Sequence, residues 1–187
     1  MDRTYRADFR QIMTQLPSTE EAFENGVQQP MVTLAEALTP NGAGKVSTFG
    51  GIILSATLFG HNFRHLHKTG PNERPEDLDN GDFWKRHRKM DNVLSATFMF
   101  FPDHLRLPAG LRDSNIPLIH MNIHASTICL HQAAILTAEK HQLPIEFRRQ
   151  CRNRSYGAAE EIVSIMRMIS HFDVRFVSLS DIPTDWH

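Results

Sequence analysis

The chain has 187 residues, 41% of them hydrophobic and 22% charged, and carries a formal net charge of -1. That composition suits one globular domain rather than a fibre or an intrinsically disordered chain. With no excess of basic residues to neutralise phosphates, direct nucleic-acid binding by this chain is not expected.

The two cysteines, Cys129 and Cys151, sit in apolar or helical-looking stretches without C-x-x-C spacing and read as reduced, intracellular thiols. Residues Met1 to Arg10 carry Asp2, Arg3, Arg6, Asp8 and Arg10 with no apolar run, which is not a secretory signal. Residues 46–63 and 114–138 lack Asp, Glu, Lys and Arg, but the first contains Ser55, His61 and Asn62 and the second His120, Asn122, His124 and His131. Those groups are costly in hydrocarbon, so both segments read as buried helices rather than membrane spans.

In chain order, residues 1–15 read as an irregular N-terminal segment. Ser18 with Glu21 three residues on predicts a capped short helix ending near Gly26. A second short helix is expected over Thr33 to Leu38, and Pro40-Asn41-Gly42-Ala43-Gly44 as a breaker. Phe49, Ile52, Ile53, Ala56, Phe59, Phe63 and Leu66 then recur at helical spacing and predict a long helix from Val46 to Lys68.

Thr69 to Gly81 reads as a solvated loop, with Asp82 capping the next helix. That helix runs to Phe101, with Phe83, Met90, Leu94, Phe98 and Phe101 on its core side and Lys85, Arg86, Arg88 and Lys89 outside it. Pro102 to Pro117 reads as an extended connector pinned by Leu105, Leu107 and Leu111. Pro117 to His141 predicts a central helix, apolar nearly all round. Pro144 starts a last helix over Ile145 to Phe172, with Ala158, Ala159, Ile162, Val163, Met166 and Ile169 as its buried stripe. Residues 173–187, with β-leaning Val174, Phe176 and Val177, read as coil or a short edge element. The fold class is all-α, a multi-helix array over residues 16–172 with a divergent tail at 173–187.

Several sets of residues call for a chemical reading. His120, His124 and His131 line one face of the central helix, and His61, His65 and His67 gather at the end of the long one. A straight helix cannot bring residues about three turns apart onto one ion, and there is no H-E-x-x-H. Satisfied core or helix-end histidines are therefore the expectation, with a His-His pair across helices left open. Lys85-Arg86-His87-Arg88-Lys89, and Arg148, Arg149, Arg152 and Arg154, read as solvated helix faces rather than import or nucleic-acid patches. There is no G-x-S-x-G elbow and no phosphate-cradling glycine loop, and Glu160 and Glu161 point in different directions on their helix. No catalytic residue, cofactor or metal ligand is expected.

The blocks Asp82-Phe83-Trp84-Lys85-Arg86-His87-Arg88-Lys89-Met90-Asp91-Asn92-Val93-Leu94, Phe101-Pro102, Leu105-Arg106-Leu107-Pro108, His120-Met121-Asn122-Ile123-His124-Ala125 and Ile128-Cys129-Leu130-His131 resemble the middle homology region of fungal zinc binuclear cluster transcription factors. The resemblance runs from about Leu16 to His171. It implies a partial copy of an all-helical regulatory domain, one that in the family stands behind a six-cysteine DNA-binding cluster in nuclear regulators of metabolic or secondary-metabolite genes. It also implies that Phe83, Trp84, Arg86, His87, Asp91, Asn92, His120 and His124 are structural motif residues that tie helices together.

Two cysteines cannot build the family's six-cysteine cluster, and the family's further helices would follow Ser170-His171 where this sequence diverges. The expectation is a non-enzymatic regulator, a fragment or truncated paralogue. It would act in the nucleus through protein partners or a full-length regulator, and would self-associate through exposed apolar faces. The rival readings are a small helical ligand-binding protein and, third, a metal-dependent enzyme using His120 and His124.

Overall fold

The computed structural model describes residues 13–68, 70 and 73–171. The expectations for residues 1–12, for Phe172 and for the 173–187 tail fall outside these. Among the described residues there are seven α-helices, two short 3-10 turns and no strand, with an isolated antiparallel bridge between Gln15 and Thr33. The chain is all-α, as the sequence indicates.

Three short helices open the fold. α1 (Glu20–Glu24) is capped by Thr19, not Ser18, because the Thr19 hydroxyl is the one that reaches the Ala22 amide, at 3.3 Å. α2 (Leu34–Ala37) has a full capping box between Thr33 and Glu36. The expected breaker at residues 40–44 is instead a single turn, α3 (Pro40–Ala43), because Thr39 caps it and Pro40 occupies its first turn, where proline's missing N–H costs nothing.

α4 (Thr48–His67) is capped by Ser47, whose hydroxyl accepts from the Gly50 amide and donates to the Pro17 carbonyl at 2.7 Å. Its buried face is Gly50, Gly51, Leu54, Ser55, Leu58, Asn62 and His65. Of the apolar residues whose spacing predicts the helix, Phe49, Phe59 and Phe63 lie off this face, at 58%, 45% and 56% exposure. Close approach is the reason: a Cβ on Gly51 would lie 2.9 Å from Cδ1 of Ile119, so α4 docks by its small side and leaves its aromatic side out.

The loop before α5 (Asp82–Phe100) is not simply solvated. Gly81 is the N-cap and no side chain caps the helix. Asp82 lies inside the first turn, where its charge suits the helix dipole. Phe101 ends the helix and is 1% exposed.

The expected extended connector is two 3-10 turns, Asp103–Leu105 and Ala109–Arg112, closed by local backbone hydrogen bonds such as Leu105 N–H to Pro102 O at 2.9 Å and Leu111 N–H to Pro108 O at 3.1 Å. α6 (Asn115–Lys140) starts two residues earlier than expected, with the Asp113 carboxylate accepting from the Asn115 amide at 2.9 Å; Pro117 fits within its first turn.

α6 is the central helix, with Ile119, Ile123, Leu130, Ala134 and Ala138 fully buried. It packs most extensively on α7 (Ile145–His171) and next on α4. α7 buries Cys151, Ser155, Ala158 and Ile165. Of its expected stripe, Val163 and Met166 are exposed at 47% and 54%; the helix turns its smaller residues to α6, which permits close packing. No helix among the described residues is long and apolar enough to cross a membrane.

Candidate functional site

The motif residues of α5 fall into two groups by what they touch. Trp84 is 1% exposed and donates its indole N–H to the Pro75 carbonyl at 2.8 Å. It meets Phe83 and Phe147 edge-on at 4.7 and 5.0 Å between ring centres. The basic residues close the same loop from outside. Arg86 pairs with Glu73, and Arg88 donates to the Leu78 and Asp79 carbonyls at 2.7 and 2.8 Å. The helix thus clasps residues 73–80; Arg86 is partly buried in this contact, which corrects its reading as part of a solvated face, while Arg88 stays exposed as expected. Lys85 and Lys89 are exposed, as is Asn92.

The second group runs inward along α5. His87 is 4% exposed, and its ring lies 6.3 Å from that of His65 on α4 and 5.1 Å from that of His131 on α6. One turn on, Asp91 accepts from Nε2 of His131 at 3.2 Å and from the Arg154 guanidinium on α7 at 2.6 Å. Arg154 also donates to Ser95 Oγ at 2.9 Å. A row of imidazoles therefore crosses from α4 to α6 and ends on a carboxylate that also holds α7.

The electrostatics follow from this burial. Desolvation, then the Arg86 charge, lowers His65 to about 4. Desolvation, then His131 and His65, lowers His87 to about 3. Burial would raise Asp91, but the hydrogen bonds from His131 and Arg154 prevail and hold it at about 2. At neutral pH His65 and His87 are uncharged and Asp91 is a carboxylate. Because a carboxylate only accepts, His131 must carry a proton on Nε2, and Nδ1 is the ring nitrogen that Asp91 does not engage.

Cys151 of α7 completes the cluster. Its sulfur and one ring nitrogen from each of His87 and His131 lie within 4.8 Å of one another, the one group of three or more such ligands among the described residues. The thiol is 2% exposed, and burial, then the Asp91 charge, raises its pKa to about 11. Sequence reasoning did not join these three residues, because each comes from a different helix and no local spacing links them.

His120 and His124 go elsewhere. Nε2 of His120 donates to the Leu105 carbonyl at 2.7 Å, and His124 stacks on Phe98 at 4.5 Å. Both line a cleft of about 290 Å³ with Leu107, Pro108, Glu161, Ile165 and Met168. Burial lowers both imidazoles, His124 to about 4. The structure thus separates His131 from the other two histidines of α6.

Over 168 residues, 87% of this chain, the sequence is 24% identical to the pigment biosynthesis transcriptional activator pigB of Monascus ruber. The chain is distantly similar to a transcriptional activator. It spans about 29% of that relative's length. No family model matches the chain, and no solved structure matches it significantly.

Proposed function

We propose that this chain regulates transcription from the nucleus through protein contacts, without reading DNA itself. The similarity to the Monascus ruber transcriptional activator along 87% of the chain carries this reading. Charge supports it: the net charge is -1, and Arg86, Arg88, Arg149 and Arg154 are each engaged within the chain. Guanidinium groups held this way offer little to a phosphate backbone.

The contact surface in this reading is the outer face of α4, where Phe49, Phe59 and Phe63 stand on one side of the helix and are roughly half exposed. Exposed apolar residues grouped on one helix face, as Phe59 and Phe63 are one turn apart, are the kind of feature that marks an interaction surface. The partner is a nuclear regulator that carries its own DNA-binding domain, and the gene set served is metabolic or secondary-metabolite.

The test is a reporter assay with the full chain fused to a heterologous DNA-binding domain. Transcription is expected to change, in either direction, relative to that domain alone, and Phe59→Ser with Phe63→Ser should abolish the change. A fusion that is expressed, nuclear and without effect on the reporter overturns the proposal. The His120–His124 cleft supports a second reading, a small-ligand sensor, since about 290 Å³ lies near the lower end of ligand sites, roughly 300 Å³. A saturable thermal shift with one ligand class would favour it.

A further inference from the structure

We propose that His87, His131 and Cys151 form a zinc site that ties α5, α6 and α7 together. The donors come from three helices and are buried, at 4%, 3% and 2% exposure, and their ligand atoms lie within 4.8 Å of one another. Around tetrahedral zinc, with Zn–N of about 2.0–2.1 Å and Zn–S of about 2.3 Å, donor atoms sit roughly 3.3–3.6 Å apart. To hold the ion, the three donors must draw inward by about 1 Å.

A second observation points to a ligand. Nδ1 of His87 and Nδ1 of His131 are buried, and among the described residues neither has a hydrogen-bond partner. Buried polar nitrogens are nearly always satisfied. With Nε2 of His131 committed to Asp91 at 3.2 Å, Nδ1 is the nitrogen left to ligate. A carboxylate behind a metal-binding imidazole is the usual outer support of such sites, fixing both tautomer and ring orientation.

The donor set selects the ion. Two imidazoles and one thiolate suit zinc and disfavour magnesium or calcium, which take oxygen ligands. Binding exchanges the Cys151 thiol proton, released to solvent, for a sulfur–zinc bond, and each histidine ligates through an unprotonated ring nitrogen. Ser155 lies one turn from Cys151 on the same side of α7, with its hydroxyl buried and, among the described residues, unpartnered. Because the donors are buried, the ion enters during folding or local opening.

The test is refolding of the full, untagged chain with Co²⁺, read by absorption, and with Zn²⁺, read by melting temperature. One equivalent of cobalt is expected to give tetrahedral d–d bands and a thiolate-to-cobalt charge-transfer band. Zinc should displace it and raise the melting temperature by several degrees. Cys151→Ser should remove the charge-transfer band and Cys129→Ser should keep it, while His87→Asn and His131→Asn should weaken binding at least tenfold. Cobalt bound without a thiolate band, or binding unchanged in Cys151→Ser, overturns the proposal. Should the histidine variants fail to fold, the cobalt spectra of the wild-type and Cys129→Ser proteins decide it.

Discussion

Replacing Asp91 by alanine takes away the acceptor that His131 of α6 and Arg154 of α7 share. The His131 side chain is 4% exposed, so its Nε2–H loses its partner without gaining water, a cost of about 1–3 kcal/mol. The Arg154 side chain is 45% exposed and keeps its bond to Ser95, so its share is at most about 1 kcal/mol. Alanine's better helix propensity returns about 0.5 kcal/mol.

The net expectation for Asp91→Ala is a destabilisation of about 0.5–3.5 kcal/mol, measured by urea unfolding of the metal-free protein with an unchanged dependence on denaturant. Arg154→Ala alone should cost under about 1 kcal/mol. The reasoning also requires coupling: in a double-mutant cycle, Asp91→Ala should cost clearly less when His131 is already replaced by leucine. An Asp91→Ala cost below about 0.5 kcal/mol, or equal to that of Arg154→Ala, would refute the shared-acceptor account.

Glycines separate sharply by what surrounds them. A Cβ on Gly81 would lie 2.2 and 2.6 Å from the carbonyl oxygens of Arg74 and Asp77; backbone cannot rotate away, so Gly81→Ala should cost more than about 2 kcal/mol by thermal unfolding. Gly157, inside α7 with nothing within 4 Å of its Cβ position, should instead gain about 0.5–1 kcal/mol on substitution by alanine. Leu58→Ala should cost about 2–5 kcal/mol and its neighbour Phe59→Ser under about 1 kcal/mol, since Leu58 is fully buried and Phe59 is 45% exposed. Burial, and then His120, holds His124 at about 4 against 6.5. The unfolded chain therefore takes up that proton first, and the contribution, fully present above pH 6.5, is lost as pH falls toward 4. With discounting for partial exposure this is about 2 kcal/mol, so His124→Gln should flatten the fall in stability between pH 6.5 and 4.

The long helices were legible because their signals lie close in sequence: apolar residues recurring at helical spacing in α4 and α5, and Pro144 before α7. Which face each helix buries was less legible. α4 is apolar on both sides, so periodicity alone could not choose between Leu54–Leu58 and Phe59–Phe63, and the choice is made by Gly51 meeting Ile119 of α6. The inward turn of Trp84 and His87 likewise depends on the folded-back loop at Pro75, a contact made across nine residues. The cluster of His87, His131 and Cys151 had no local signal at all, because its members are brought together by α6 packing on α5 and α7.

The docking of α4 by its small residues also inverts how substitutions there should be ranked. Hydrophobicity alone would protect Phe49, Phe59 and Phe63 and treat Gly51 and Ser55 as expendable. The surroundings argue the reverse: Ser55 is 1% exposed and the three phenylalanines face outward. An engineer seeking a more soluble chain should therefore begin at the phenylalanines and leave the glycine and serine untouched.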